Sequence, residues 1–169
     1  FRSIEGQILV PFCIESYLSG VQKMVKPSQR LWYQRTFTLP DKWNLSAHNR
    51  VIIHFGAVDW ESNVYINGKH IGSHKGGYLP FSFDITDSLK LEKTEQEIIV
   101  SVWDPSDKGY QEHGKQVLNP WGINYTPCTG IWQTVWLELV PECYLMRPKI
   151  IPDIDAKKIV FKFENTNAV

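Results

Sequence analysis

A chain of 169 residues is long enough for one domain with a full hydrophobic core and the start of another. Eighteen basic side chains balance eighteen acidic ones, so no net field favours nucleic acid or an anionic membrane, and no apolar run reaches the roughly 18 residues of a membrane span. Seven Trp, seven Tyr and eight Phe supply more aromatic surface than charge bookkeeping explains; such faces stack on sugar rings, which makes carbohydrate the ligand class to test first.

In chain order the hydrophobic period is 2 almost throughout, the signature of half-buried strands. "LWYQRTFTLP" reads as a strand ended by Pro40. "RVIIHFGAV" sets Val51, Ile53 and Phe55 against Ile52 and His54. "SNVYING" puts Val64 and Ile66 on one face and closes on Asn67-Gly68, a strong hairpin signal of the type I′ kind. "INGKHIGSHKGGYLPFSFDIT" then reads as a hairpin and tight corner, with Tyr78 and Phe81 packing under the turn and Asp84 fixing the next one. A single helical turn is predicted around Ser88 to Leu91, and no segment predicts a long amphipathic helix.

"EIIVSVWD" alternates Ile98, Val100 and Val102 against Ile99, Ser101 and Trp103. Between about Pro105 and Thr129 lies a long stretch without strand pattern that carries Tyr110, Glu112, His113, Trp121, Asn124 and Tyr125. Loops of this length in a compact domain are usually functional or disordered, and this one is too aromatic for a linker, so it is predicted to fold back over the sheets. "GIWQTVWLELV" follows as one strand, with Ile131, Gln133, Val135, Leu137 and Leu139 on one face. Pro141, Pro148 and Pro152 mark the next stretch as a linker, and "KKIVFKFE" opens a fresh strand of a second β domain. The chain opens on Phe-Arg-Ser and closes on "ENTNAV", which reads as an excised piece of something longer. The expected architecture is an all-β antiparallel sandwich or barrel, with a boundary near residue 142.

Site chemistry is sparse. No serine sits in a G-x-S-x-G elbow and no Gly-rich loop leads into a helix. His70 and His74 have metal-pair spacing only on a helix, and their context is a hairpin, so no metal is assigned. Asp104, Asp107 and Glu112 can be paired on paper as hydrolytic carboxylates, but loop acids more often bond turn amides, so no catalytic residue is assigned either. Cys13, Cys128 and Cys143 have no metal spacing and read as buried free thiols rather than a disulfide, which leaves the redox compartment undecided. Asn44-Leu-Ser and Asn124-Tyr-Thr match glycosylation sequons, a pattern short enough to arise by chance.

Three ordered segments, "LWYQRTFTLP", "VDWESNVYINGKHIGSHKGGYLPFSFDIT" and "YTPCTGIWQTVWLELV", with "ILVPFCIESYLSGV" before them, closely resemble the N-terminal sugar-binding domain of glycoside hydrolase family 2, the β-galactosidases, β-glucuronidases and β-mannosidases. The resemblance covers about residues 7 to 141. It implies a jelly-roll (galactose-binding-like) β-sandwich over residues 1–141, and over 142–169 a linker and the first strand of an immunoglobulin-like domain. A catalytic (β/α)₈ barrel carrying both catalytic glutamates would follow, and the domain would pack on it. The chain itself is then expected to be non-catalytic, to need no cofactor, and to act on β-glycosides through its parent enzyme, in a bacterial periplasm or cytoplasm. Members place an acidic, substrate-contacting residue six positions before the glycine that is Gly130 here; this chain has Asn124 instead, with Trp121 and Tyr125 beside it. An amide bonds hydroxyls but offers no carboxylate. The alternative is an autonomous carbohydrate-binding module or lectin, suggested by the aromatic loop.

Overall fold

The computed structural model describes residues 6–43, 45, 48–90 and 95–165. The Asn44 sequon and the Leu91 end of the predicted turn lie outside these residues. Eleven strands are assigned among them: β1 (Leu31–Phe37), β2 (Asn49–Phe55), β3 (Val58–Asp59), β4 (Glu61–Ile66), β5 (Lys69–Lys75), β6 (Phe81–Asp84), β7 (Gln96–Trp103), β8 (Gly130–Ile131), β9 (Val135–Pro141), β10 (Leu145–Asp153) and β11 (Lys158–Asn165). The only helical pieces among the described residues are two 3₁₀ turns, Tyr17–Ser19 and Thr86–Ser88.

A four-stranded antiparallel sheet, ordered β1-β7-β4-β5, faces a three-stranded one, ordered β6-β2-β9. Tyr33, Val64, Ile66, Val100 and Val102 from the first layer and Val51, Ile53, Phe55 and Phe81 from the second form one apolar cluster. The fold is therefore an all-β sandwich. Burial of side chains such as Phe55 and Ile66, each with no exposed surface, contributes roughly 1.5–3 kcal/mol apiece.

Local chemistry accounts for the corners. Asn67 and Gly68 both have positive φ, 50° and 81°, as a two-residue hairpin between β4 and β5 requires. Asn67 also donates to the Ser88 carbonyl (2.8 Å) and to Gln96 Oε1 (2.7 Å), and accepts from the Glu97 amide (2.9 Å). Asp84 fixes the next corner as expected, accepting from the Thr86 amide (2.9 Å) and hydroxyl (2.6 Å). The corner reading of this stretch holds for Phe81, which stacks on Phe55 and His74. It fails for Tyr78, which is 47% exposed and meets the edge of Trp132.

Other expectations need correction. The alternation predicted for β7 is blurred, because Ile99 and Ser101 are buried as well as Val100 and Val102. The N-terminal segment covers that second face: Trp103 Nε1 donates to the Pro27 carbonyl (2.8 Å). "GIWQTVWLELV" is two strands, not one: β8 pairs with β3, and β9 pairs with β2. The break lies opposite Gly56, where a Cβ would collide with Gln133, so both ladders step together at a residue without a side chain. The predicted linker is also a strand. β10 runs through Pro148 and Pro152 and pairs with β11, with a register shift between Met146 and Lys149. A two-stranded ribbon leaves one side of each strand unpaired, and proline loses no ladder bond there.

Candidate functional site

The long connection from β7 to β8 folds back onto one end of the sandwich. Its base is held by side chains. Asp104, 2% exposed, accepts from the Ser106 amide (2.7 Å) and from the Thr129 hydroxyl (3.0 Å). The Thr129 amide donates to Glu15 of the N-terminal segment (3.0 Å), and the Ile131 amide donates to the Tyr33 hydroxyl (3.1 Å). Gly130, at φ 94°, passes so close to that hydroxyl that a Cβ would collide with it. A further loop acid, Asp107, accepts from the Leu118 amide 11 residues on (3.4 Å), a bond across the loop rather than within a turn.

Cys13 and Cys128 form a disulfide, with Cα atoms 5.1 Å apart, and Cys143 is exposed. The expectation of buried free thiols is thus wrong for Cys13 and Cys128; Cys143 lies outside the disulfide as expected, but at the surface rather than buried. The two partners lie 115 residues apart in sequence, and only the fold of the N-terminal segment against the loop brings them within bridging distance.

A second tie runs through Gln116. Its Nε2 donates to Asp59 Oδ2 on β3 (3.2 Å), and its Oε1 accepts from the Cys128 amide (2.5 Å). Gln116 also forms a parallel bridge with Tyr125. Flanking bonds run from the Tyr125 amide to the Lys115 carbonyl (2.8 Å) and from the Val117 amide to the Tyr125 carbonyl (3.0 Å).

Beyond these anchors the loop turns at its tip, where the Asn124 amide donates to the Trp121 carbonyl (3.1 Å). Trp121 is 78% exposed and Tyr125 64%, while Asn124 is half-buried between them. The three residues singled out from the sequence thus share one turn at the molecular surface. Two aromatic faces and one primary amide are the groups that pack on a sugar ring and bond its hydroxyls. His70 and His74 serve different neighbours: His70 packs against Tyr65, and His74 stacks on Phe81.

The electrostatics concentrate below the tip. Asp59 is 4% exposed, its Oδ1 has no hydrogen-bond partner, and its carboxyl is pushed up to about 7 by burial and then by the charge of Asp104, with Glu112 and Glu15 adding to the effect. Burial raises Glu15 and Asp104 above the usual carboxylate range as well. Tyr33 is raised by burial too. These acids bond the protein's own amides, hydroxyl and carboxamide, so they hold the loop in place. Sequence reasoning missed Glu15, Tyr33, Asp59, Gln116 and Thr129. The one available signal was Asp59 itself, a lone acid inside the apolar run "AVDW".

Two packed antiparallel sheets with one long, side-chain-anchored loop define an all-β sandwich domain. Residues 16–141 match the model of the glycosyl hydrolases family 2 sugar binding domain, and the chain belongs to that family. It is 33% identical over 114 residues to a β-galactosidase of Thermoanaerobacter pseudethanolicus, covering 68% of this chain but 14% of that protein. Among solved structures it resembles Bacteroides uniformis β-glucuronidase 2, covalently bound to cyclophellitol-6-carboxylate aziridine, at 28% identity and TM-score 0.59, over 82% of this chain and 15% of that one. It also resembles a β-glucuronidase of an uncultured Clostridium sp., at 25% identity and TM-score 0.63, over 94% of this chain and 27% of that one. The chain therefore spans about a seventh to a quarter of these proteins.

Proposed function

We propose that this chain is the N-terminal part of a longer β-glycoside hydrolase, of β-galactosidase or β-glucuronidase type. In this reading residues 1–141 are a jelly-roll, sugar-binding domain that carries no catalytic residue. It packs on a barrel that bears the active site, and Asn124, Trp121 and Tyr125 reach the bound sugar. The observation that carries the reading is the tip: exposed aromatic and amide groups on a loop whose base is fixed by a disulfide and four side-chain acceptors. Residues 142–169 are assigned to the entry of an immunoglobulin-like domain. The β10–β11 hairpin supports this, since Ile150, Ile159, Phe161 and Phe163 are all more than half exposed and form apolar surface that further strands would cover.

The test is hydrolysis of aryl β-D-galactosides and aryl β-D-glucuronides by the full-length protein and by residues 1–169 alone. Turnover by the long form and none by the short one is expected. Turnover by the short chain, or none by either, overturns the reading. An autonomous carbohydrate-binding module is the second reading, favoured by the exposure of Tyr110 as well as Trp121 in the same loop. It requires saturable glycan binding by the short chain, at about millimolar affinity, which corresponds to roughly 4 kcal/mol.

A further inference from the structure

We propose that Gln116 is a positioning residue for the sugar-facing tip, its carboxamide latching the 105–129 loop to Asp59 on one side and to the Cys128 amide on the other. What the tip does rests on the function proposed above; the latch itself rests on geometry alone.

A carboxamide carries a donor and an acceptor on one rigid plane, and Gln116 uses both. Its Nε2 reaches Asp59, a residue of β3 and hence of the sandwich, and its Oε1 reaches the backbone of the disulfide-bonded Cys128. Its backbone meets the tip, through the bridge to Tyr125 and the bonds of Lys115 and Val117 on either side. The same residue closes its own turn, with its amide donating to the His113 carbonyl (3.1 Å) and its carbonyl 3.1 Å from His113 Nδ1. Scaffold and loop base therefore meet at the Gln116 side chain, and the tip meets the backbone that this side chain holds in place. Removing it frees the tip at Tyr125, while the disulfide and the Thr129 bonds still hold the base.

The identity of the residue follows from its surroundings. The charges that act on Asp59 come from Asp104 at the end of β7, Glu112 in the loop and Glu15 in the N-terminal segment, and all are acidic. His113 acts on Asp104. A donor is required opposite Asp59, and a carboxylate at 116 would add a fourth negative charge to the group.

The test uses the full-length protein and two variants. In Gln116→Ala, amide exchange at Val117, Tyr125 and Cys128 should speed up at least about tenfold, the loss expected for one buried hydrogen bond. Ile52 and Glu138, a hydrogen-bonded pair of the β2–β9 ladder, should keep their protection. KM for an aryl β-glycoside should rise about tenfold, with kcat changed less than about twofold. In Gln116→Glu, the protonated side chain can still donate to Asp59 and accept from Cys128, and the ionised one cannot donate. Protection at Tyr125 and Cys128, corrected for intrinsic exchange, should be near that of the unaltered protein at pH 5 and should fall at pH 8 further than the unaltered protein's does. Unchanged protection of the loop in Gln116→Ala overturns the proposal, and so does an equal loss across β2 and β9. A Gln116→Glu variant with no excess pH dependence overturns it as well. If the full-length protein hydrolyses no aryl glycoside, the proposed function fails, and the exchange measurements still decide the latch.

Discussion

Replacing Asp59 by Asn should make the domain less sensitive to pH. The carboxyl is pushed from an ordinary 3.8 up to about 7 in the folded chain, chiefly by burial and then by Asp104. A raised carboxyl means that the folded state holds its proton more tightly than the unfolded state. Folding therefore carries no penalty from this group below pH about 4, a growing one between about 4 and 7, and the full one above. About 3 pKa units at 1.36 kcal/mol each put that full penalty on the order of 4 kcal/mol. Between pH 5 and pH 8 the part incurred is roughly 2–3 kcal/mol. Asn keeps an oxygen that can accept from Gln116 and removes the charge. Urea unfolding at pH 5 and pH 8 should show the unaltered chain losing roughly 2–3 kcal/mol more than Asp59→Asn over that interval. Equal losses would refute the assignment of a protonated Asp59 and with it the account of the acid cluster.

The remaining predictions address the anchors and the tip. Cys13→Ser removes a bridge that closes 115 residues and should lower stability by roughly 2–5 kcal/mol, with a matching loss when a thiol reductant is added to the unaltered chain. A melting temperature indifferent to both would show that the bridge does not constrain the chain. Gly130→Ala forces a side chain into left-handed backbone against the Tyr33 hydroxyl and should cost about 2–5 kcal/mol, read by chemical unfolding. Trp121→Ala should leave stability within about 0.5 kcal/mol, because the ring is 78% exposed, while raising KM for an aryl β-glycoside in the full-length protein. A large drop in stability would show that the ring is a packing residue.

The parts of the fold that were legible in the sequence are those set by local rules. Asn67-Gly68 fixes a hairpin through its own backbone preferences, and Asp84 caps its corner through atoms two residues away. The tip is singled out through the family resemblance, which places Asn124 six positions before Gly130 and takes Trp121 and Tyr125 as its neighbours; no local rule selects it. What was not legible depends on partners far along the chain. The step between β8 and β9 preserves the alternation of Ile131, Val135 and Leu137, so periodicity runs through it unbroken, and only the pairing with β3 and β2 separates the two. Pro148 and Pro152 exclude a central strand but not a two-stranded ribbon, a distinction of position in the sheet. Cys13 and Cys128 carry no spacing signal across 115 residues, and Glu15 finds its bond to Thr129 by the same long route.

One physical requirement links the misses. Backbone amides taken out of water need acceptors, and the segment from Ser106 to Ile131 has little ladder to supply them. The amides of Ser106, Leu118, Cys128, Thr129 and Ile131 instead donate to Asp104, Asp107, Gln116, Glu15 and Tyr33. Carboxylates accept such bonds well, but gathering Glu15 and Asp104 at the loop base places them around Asp59: burial lifts all three, and the charge of Asp104 adds to the rise of Asp59 and Glu15. The acid cluster is thus the consequence of holding an irregular loop without strands. An irregular loop in turn is what leaves Trp121, Asn124 and Tyr125 free to project from the sandwich, where a regular strand would have aimed alternate residues back into it.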